Sequence, residues 1–306
     1  MNTRTPKNRK RITKGQITLL AMTIPSIIFI AVFAYLPMTG WIYSFYDYRI
    51  GYKLSMCEFI GLDNFIYAFG NVYVLKVLWN TIIISVMGLL TLPIACAIAI
   101  LLSEVRWMNF RKWVQTVITL PNFISWVIVY SIAYSLFSMD GLINMILLNG
   151  FGIDTSFSLL SNVSTAQIFM VGLSIWKTAG YNSIIFFASI AGIDSELFDA
   201  ARVDGAGRWG RIRYITIPQL MPTLMTLAII QIGFMLSSGF DQYYVFMNPI
   251  IQSRIEVLDY YVYRLGMLEN DIPVSTAVSM CKTFVSVFMV FSVNKLAKKV
   301  TGQSVV

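Results

Sequence analysis

Residues 199–218 read DAARVDGAGRWGRIRYITIP and lie between two long apolar runs, at 166–190 and 217–236. Just upstream, Asp194 or Ser195 can cap a helix whose first turn carries Glu196, which suits the positive end of the helix dipole. Ala200 and Ala201 extend it in good helical context. Gly205 then permits a left-handed cap and a reversal, a second helical stretch covers 208–214, and Pro218 can open the next run. A solvated connection with basic anchors accounts for Arg208, Arg211 and Arg213. It does not require adjacent alanines or an Asp-Gly-Ala turn. Small side chains let a helix sit deep in a groove on another protein, so the loop reads as a docking element.

The apolar surroundings set the class. The chain has 306 residues, of which 57% are hydrophobic and 12% charged, with a mean hydropathy of +0.69. A soluble core of this size needs far less apolar surface. A bilayer needs about 20 apolar residues per helical span. Six runs qualify, at 17–36, 78–102, 113–137, 166–190, 217–236 and 274–293. They are too long for strands, so an all-α membrane protein of six transmembrane helices is expected rather than a barrel. The expected organisation is a basic segment at 1–16, one membrane domain at 17–293 with the loop 191–217 inside it, and a basic tail at 294–306.

Charge gives the expected orientation. With the amino end inside, the inner segments carry sixteen Lys/Arg and the outer ones five, while Lys177 and Lys282 fall within spans. The positive-inside rule then puts both termini in the cytoplasm. Topology accounts for the net charge of +8, so nucleic acid is not expected as a partner. The start resembles a signal peptide, but its apolar run is long and no small-residue cleavage site follows, so it reads as an uncleaved first span. The outer segment 37–77 is rich in interfacial aromatics, and 64–69 reads as a short helix lying on the membrane. Cys57, Cys96 and Cys281 show no metal-ligand spacing. The chain has no His, which removes the commonest metal ligand and general base.

The docking loop resembles the E-A-A-x-x-D-G-A motif of binding-protein-dependent ABC importer permeases, which is followed after five residues by F-x-x-I-x-L-P. Asp199, Ala200 and Ala201 stand at E-A-A; Asp204, Gly205 and Ala206 match D-G-A; Ile212, Ile215 and Ile217-Pro218 complete it. FIGLDNF at 59–65, WKTAGYN at 176–182, FDQYYVFMNP at 240–249 and YVYRLGM at 261–267 are similar to the oligosaccharide and polysaccharide branch. The resemblance implies a type I importer in a bacterial plasma membrane. Its parts are a second, different permease, two cytoplasmic ATPase subunits that hold ATP and Mg, and an external lipid-anchored binding protein that delivers sugar. It implies that Glu196, Asp199, Ala200, Ala201, Arg202, Asp204, Gly205, Ala206 and Arg208 form the ATPase-coupling segment. No cofactor is expected on this chain, which has no G-x-x-x-x-G-K-[ST] motif and reads as non-catalytic.

Polar residues inside the runs mark a candidate solute path. Ser174, Lys177 and Tyr181 share one helical face, and Gly180 allows close approach by a helix or a ligand. Ser275, Ser279, Lys282 and Ser286 make a polar stripe along the last run. Trp176, Tyr181, Asn182 and Gln231 offer aromatic faces and hydrogen bonds that suit hydroxyl-rich solutes, while Asp241 and Tyr243 stand at the outer end of the fifth run. Two readings stay open for this set: a translocation path, in which two lysines suit an acidic sugar, or interhelical hydrogen bonds and ion pairs. A secondary transporter, a membrane enzyme and an ABC permease for a non-sugar solute are the rival functions.

Overall fold

The computed structural model describes residues 14–152, 158–237 and 239–301, and every regular element among them is helical. The basic segment 1–16 lies mostly outside the described residues; its last three belong to helix α1, Lys14–Ile30. This helix runs on through a π turn, Ala31–Tyr35, and a 3-10 stretch, Leu36–Phe45. Its apolar core is buried nowhere: Met22 is 71% exposed and Phe33 67%. Helix α2, Asp63–Gly70, covers the short helix expected at 64–69; Asn64 ties it back by donating to the Ser44 carbonyl at 2.9 Å.

Five stretches are long and apolar enough to cross a membrane: Thr18–Phe45, Val72–Ser103, Trp126–Phe151, Arg208–Gly233 and Ile272–Lys295. Six were expected. The remaining run forms one 26-residue helix, α8, Ala166–Ala191, whose length suffices but whose polar face keeps it out of the apolar set. Before it, the second run is divided into α3, Val72–Gly88, and α4, Thr91–Ser103. The third is divided more sharply, into α5, Met108–Thr119, a 3-10 turn, Leu120–Phe123, and α6, Trp126–Phe137. Pro121, which lacks an N–H, stands in the 3-10 turn of the second break, and the chain leaves helical geometry at Ile124, ψ 137°. The apolar stretch then continues through α7, Leu142–Phe151, beyond the third expected run, which ends at 137.

After α8 come α9, Ser195–Val203, α10, Arg208–Arg211, and a π turn, Ile212–Thr216, leading into α11, Ile217–Gly233. Three short helices follow at the far end: α12, Phe240–Phe246, α13, Gln252–Ile255, and α14, Leu258–Tyr263. The last helix, α15, is unbroken from Ile272 to Thr301, so most of the segment expected as a separate tail is a continuation of it.

Packing centres on α8. Helix α4 lies along it, and Ala95, Cys96 and Ala99 bring the two backbones together around fully buried Phe186 and Leu220. A second core joins Met170, Val171 and Val129 to Phe246, Ile255 and Val257. A third joins α2 and α3 to α14 and α15 through Ala68, Val77, Leu258 and Val278. Beside it, fully buried Glu256 accepts from Arg264 at 2.8 Å, from Gln252 at 3.1 Å and from the Tyr73 hydroxyl. Guanidinium carbon Cζ of Arg264 stands 5.2 Å from the Tyr261 ring. A buried carboxylate persists only when paired in this way.

The helix breaks receive their own partners. Lys177 of α8 donates to the carbonyls of Pro121, Asn122 and Ile124 at 3.0, 2.9 and 2.6 Å, and its ammonium stands 5.5 Å from the Trp126 ring. One turn on, Gly180 faces the α5 backbone so closely that a Cβ would fall 1.9 Å from the Ile118 oxygen. Gln231 of α11 donates to the Gly88 carbonyl at 3.1 Å where α3 ends, and Ser85 donates to the Met235 carbonyl at 2.6 Å where α11 ends.

Two variants test this. Lys177→Met takes the donor from the Asn122 and Ile124 carbonyls, while that of Pro121 keeps the Ile124 N–H at 3.2 Å, and an unsatisfied buried polar group costs about 1–3 kcal/mol. Its unfolding midpoint in detergent should drop by several degrees; an unchanged midpoint would contradict the clamp. Gly180→Val should prevent stable insertion altogether, read as loss of folded protein on size-exclusion chromatography.

Candidate functional site

Helices α3, α6, α8, α11 and α12 surround a cavity of about 530 Å³. The unbroken α8 lines its length, α4 adds Thr91 and Leu92 from its first turn, and the other elements reach it near a break or a turn of the chain. Asn122 comes from the 3-10 turn and Trp126 from the first turn of α6; Ser174, Thr178, Tyr181 and Asn182 come from α8; Gln231 from α11; Gln242 and Tyr243 from α12. The spacing on α8 is helical, so one polar stripe faces the space while the apolar side packs on α4. The side-chain amides of Asn122 and Asn182 make no hydrogen bond among the described residues and are partly exposed. Gln242 is held by the Met170 carbonyl at 2.7 Å. Burial pushes the Tyr243 phenol well above its ordinary value, so it stays a neutral hydroxyl. Gly239, at φ +90°, turns the chain into α12, and a Cβ there would strike the Tyr243 ring at 2.7 Å.

Of the expected solute-path residues, the structure brings Ser174, Tyr181, Asn182, Gln231 and Tyr243 together around this cavity. The others lie elsewhere. Trp176 is 48% exposed on another face of α8, and Lys177 is spent on the α5–α6 break. Asp241 is exposed in the first turn of α12. Lys282 pairs with Asp259 of α14. Ser279 lines a shallow groove with Trp41, while Ser275 packs against Gly266 and Ser286 is buried without a hydrogen-bond partner among the described residues. The stripe on α15 therefore serves helix contacts. Asn122, Trp126, Ser85, Thr178 and Gln242 were missed. For Asn122 the available signal was Pro121, a break inside an apolar run.

The loop after α8 has the expected local structure. Asp194 accepts from the Glu196 N–H at 2.9 Å, and Glu196 stands in the first turn of α9. Asp204 caps the other end, Gly205 takes φ +77°, and the Ala206 N–H donates back to the Ala201 carbonyl at 2.8 Å. Asp199 pairs with Arg202 at 2.8 Å across one turn of surface. Arg208 reaches back to the end of α4, donating to the Glu104 carboxylate at 2.9 Å and to its carbonyl at 2.6 Å. No residue of α9 is buried; Ala200 is exposed, as are Leu197 at 44% and Val203 at 88%. The helix is thus capped at both ends, and none of its residues is buried by the other described residues.

Known proteins place this arrangement. The family model described as binding-protein-dependent transport system inner membrane component matches residues 91–302. Protein LplB of Bacillus subtilis (strain 168) is 36% identical over 92% of this chain and 88% of its own. The polygalacturonan/rhamnogalacturonan transport system permease protein YteP, from the same organism, is 35% identical over the same shares. A chain of a bacterial alginate ABC transporter, crystallised with an alginate pentasaccharide-bound periplasmic protein, matches with a TM-score of 0.87 and 31% identity, over 95% of this chain and 98% of that one. The all-helical fold, the cavity along α8 and the uncovered loop with its D-G-A turn thus come together in one conclusion: this chain belongs to the family of inner membrane components of binding-protein-dependent transport systems.

Proposed function

We propose that this chain is one permease subunit of an ATP-driven importer that takes up an oligosaccharide or glycan fragment delivered by an external solute-binding protein. Membership of the family makes it a multi-pass, non-catalytic membrane component. The observation that carries the finer reading is the pairing of a hydroxyl- and amide-lined cavity with a rigid, uncovered α9. The names of similar proteins, a permease for polygalacturonan and rhamnogalacturonan and a transporter of alginate, support a sugar cargo.

In this reading α8 is the fourth of six spans, its polar face turned to the cavity, and both termini lie in the cytoplasm as the Lys/Arg distribution expects. The membrane is a bacterial plasma membrane. A second, different permease completes the path, and the apolar arm of α1 is covered by lipid or by that subunit. Two ATPase subunits hold ATP and Mg and receive α9, with Glu196, Asp199, Ala200, Ala201, Arg202, Asp204, Gly205, Ala206 and Arg208 at or beside the contact. ATP binding brings the ATPases together. The docked loops carry that motion into α8 and α11, which flank the loop and line the cavity. Binding energy can shift the cavity between outward and inward states only through contacts that differ between them.

Affinity purification of the tagged chain from its host tests the assembly: a second permease, an ATPase and a lipoprotein should copurify. A chain that purifies alone and moves solute without ATP would contradict it. Gly205→Val meets nothing within 4 Å, so its cost is conformational, about 1–2 kcal/mol for a left-handed residue. In liposomes it should separate ATP hydrolysis from uptake; full coupled uptake would count against the docking turn. Asn182→Ala removes one hydrogen-bonding amide, about 1 kcal/mol, and should raise the half-saturating solute concentration by roughly fivefold.

A further inference from the structure

The cavity lining carries no formal charge. Among the described residues around it there is no Asp, Glu, Lys or Arg; what it offers are the amides of Asn122, Asn182 and Gln231, the hydroxyls of Ser174 and Thr178, and the Trp126 ring. The cations that sequence alone suggests for an acidic solute are committed elsewhere. All three N–H donors of the Lys177 ammonium find backbone carbonyls. Lys282 is paired with Asp259, and Arg264 with Glu256 and Glu269.

This matters for what can pass. A carboxylate that sheds water in a confined, uncharged space loses its hydration and gains no counter-ion. A sugar hydroxyl both donates and accepts, and a side-chain amide answers both functions. The unpartnered amides of Asn122 and Asn182 are of that kind, and the Trp126 ring offers an apolar surface to a sugar ring. We propose that the solute moved past this chain is an uncharged glycan, built of sugar units without carboxylate, sulfate or phosphate groups. The inference rests on the glycan-import reading above. It separates this chain from the acidic polymers named for two of the similar proteins.

The test uses the complete importer, with its binding protein, in liposomes. ATP-driven uptake is measured for length-matched neutral oligosaccharides (gluco-, xylo-, manno- and galacto-) and for oligomers of galacturonate and mannuronate. Neutral oligosaccharides should enter, with uronates slower by about tenfold or more. Uronate uptake as fast as neutral uptake would overturn the inference and leave glycan import standing. No uptake of either class would overturn the glycan reading and this inference with it. Asn182→Lys, which adds a cation to the lining, should narrow the preference for neutral solutes in the same assay. An unchanged preference would show that this lining does not select.

Discussion

A backbone carbonyl inside a membrane protein has no bulk water to turn to, and in this chain three of them converge on one lysine. The α5–α6 break is a 3-10 turn carrying Pro121, followed by extended backbone at Ile124 and Ser125, and the carbonyls freed there need donors. Lys177 supplies three from a single flexible stem. The same solution recurs with smaller groups: Gln231 at the end of α3 and Ser85 at the end of α11. Each break turns a helix, and the turned helices enclose the cavity. Polar side chains within the spans are thus first a condition for breaking helices in lipid, and the cavity beside the breaks keeps a few of them among mostly apolar walls.

That ordering explains what the sequence showed and what it hid. The local structure of the loop after α8 was legible almost residue by residue, because its signals are local: the Asp194 cap, the alanines, the Gly205 reversal. The helical class was legible from hydropathy. The break at Leu89–Leu90 was not, since apolar residues run straight through it; that at Leu120–Phe123 carried a signal in Pro121, but the apolar residues on both sides read as one run. Helix α8 read as a span like the others, although its polar residues drop it below the five clearly apolar stretches.

The solute path was half legible. Tyr181, Asn182, Gln231 and Tyr243 share the cavity, but Lys177 and Lys282, the most conspicuous charges, do not. Spacing identifies the face of a helix on which a side chain lies. It does not say whether a carbonyl from another segment or a partner carboxylate waits on that face, and both lysines met one. Asn122 and Trp126 were hidden for the converse reason: they reach the cavity only because the chain bends between them.

Helix α15 is an unbroken rod of 30 residues, about 45 Å long, against a hydrocarbon layer of about 30 Å. To hide that excess by leaning alone it would have to tilt by nearly 50°, beyond the range of roughly 0–40° seen for membrane helices. Part of the rod must therefore stand clear of the lipid, and the end carrying Lys295 and Lys298 is suited to water or anionic headgroups.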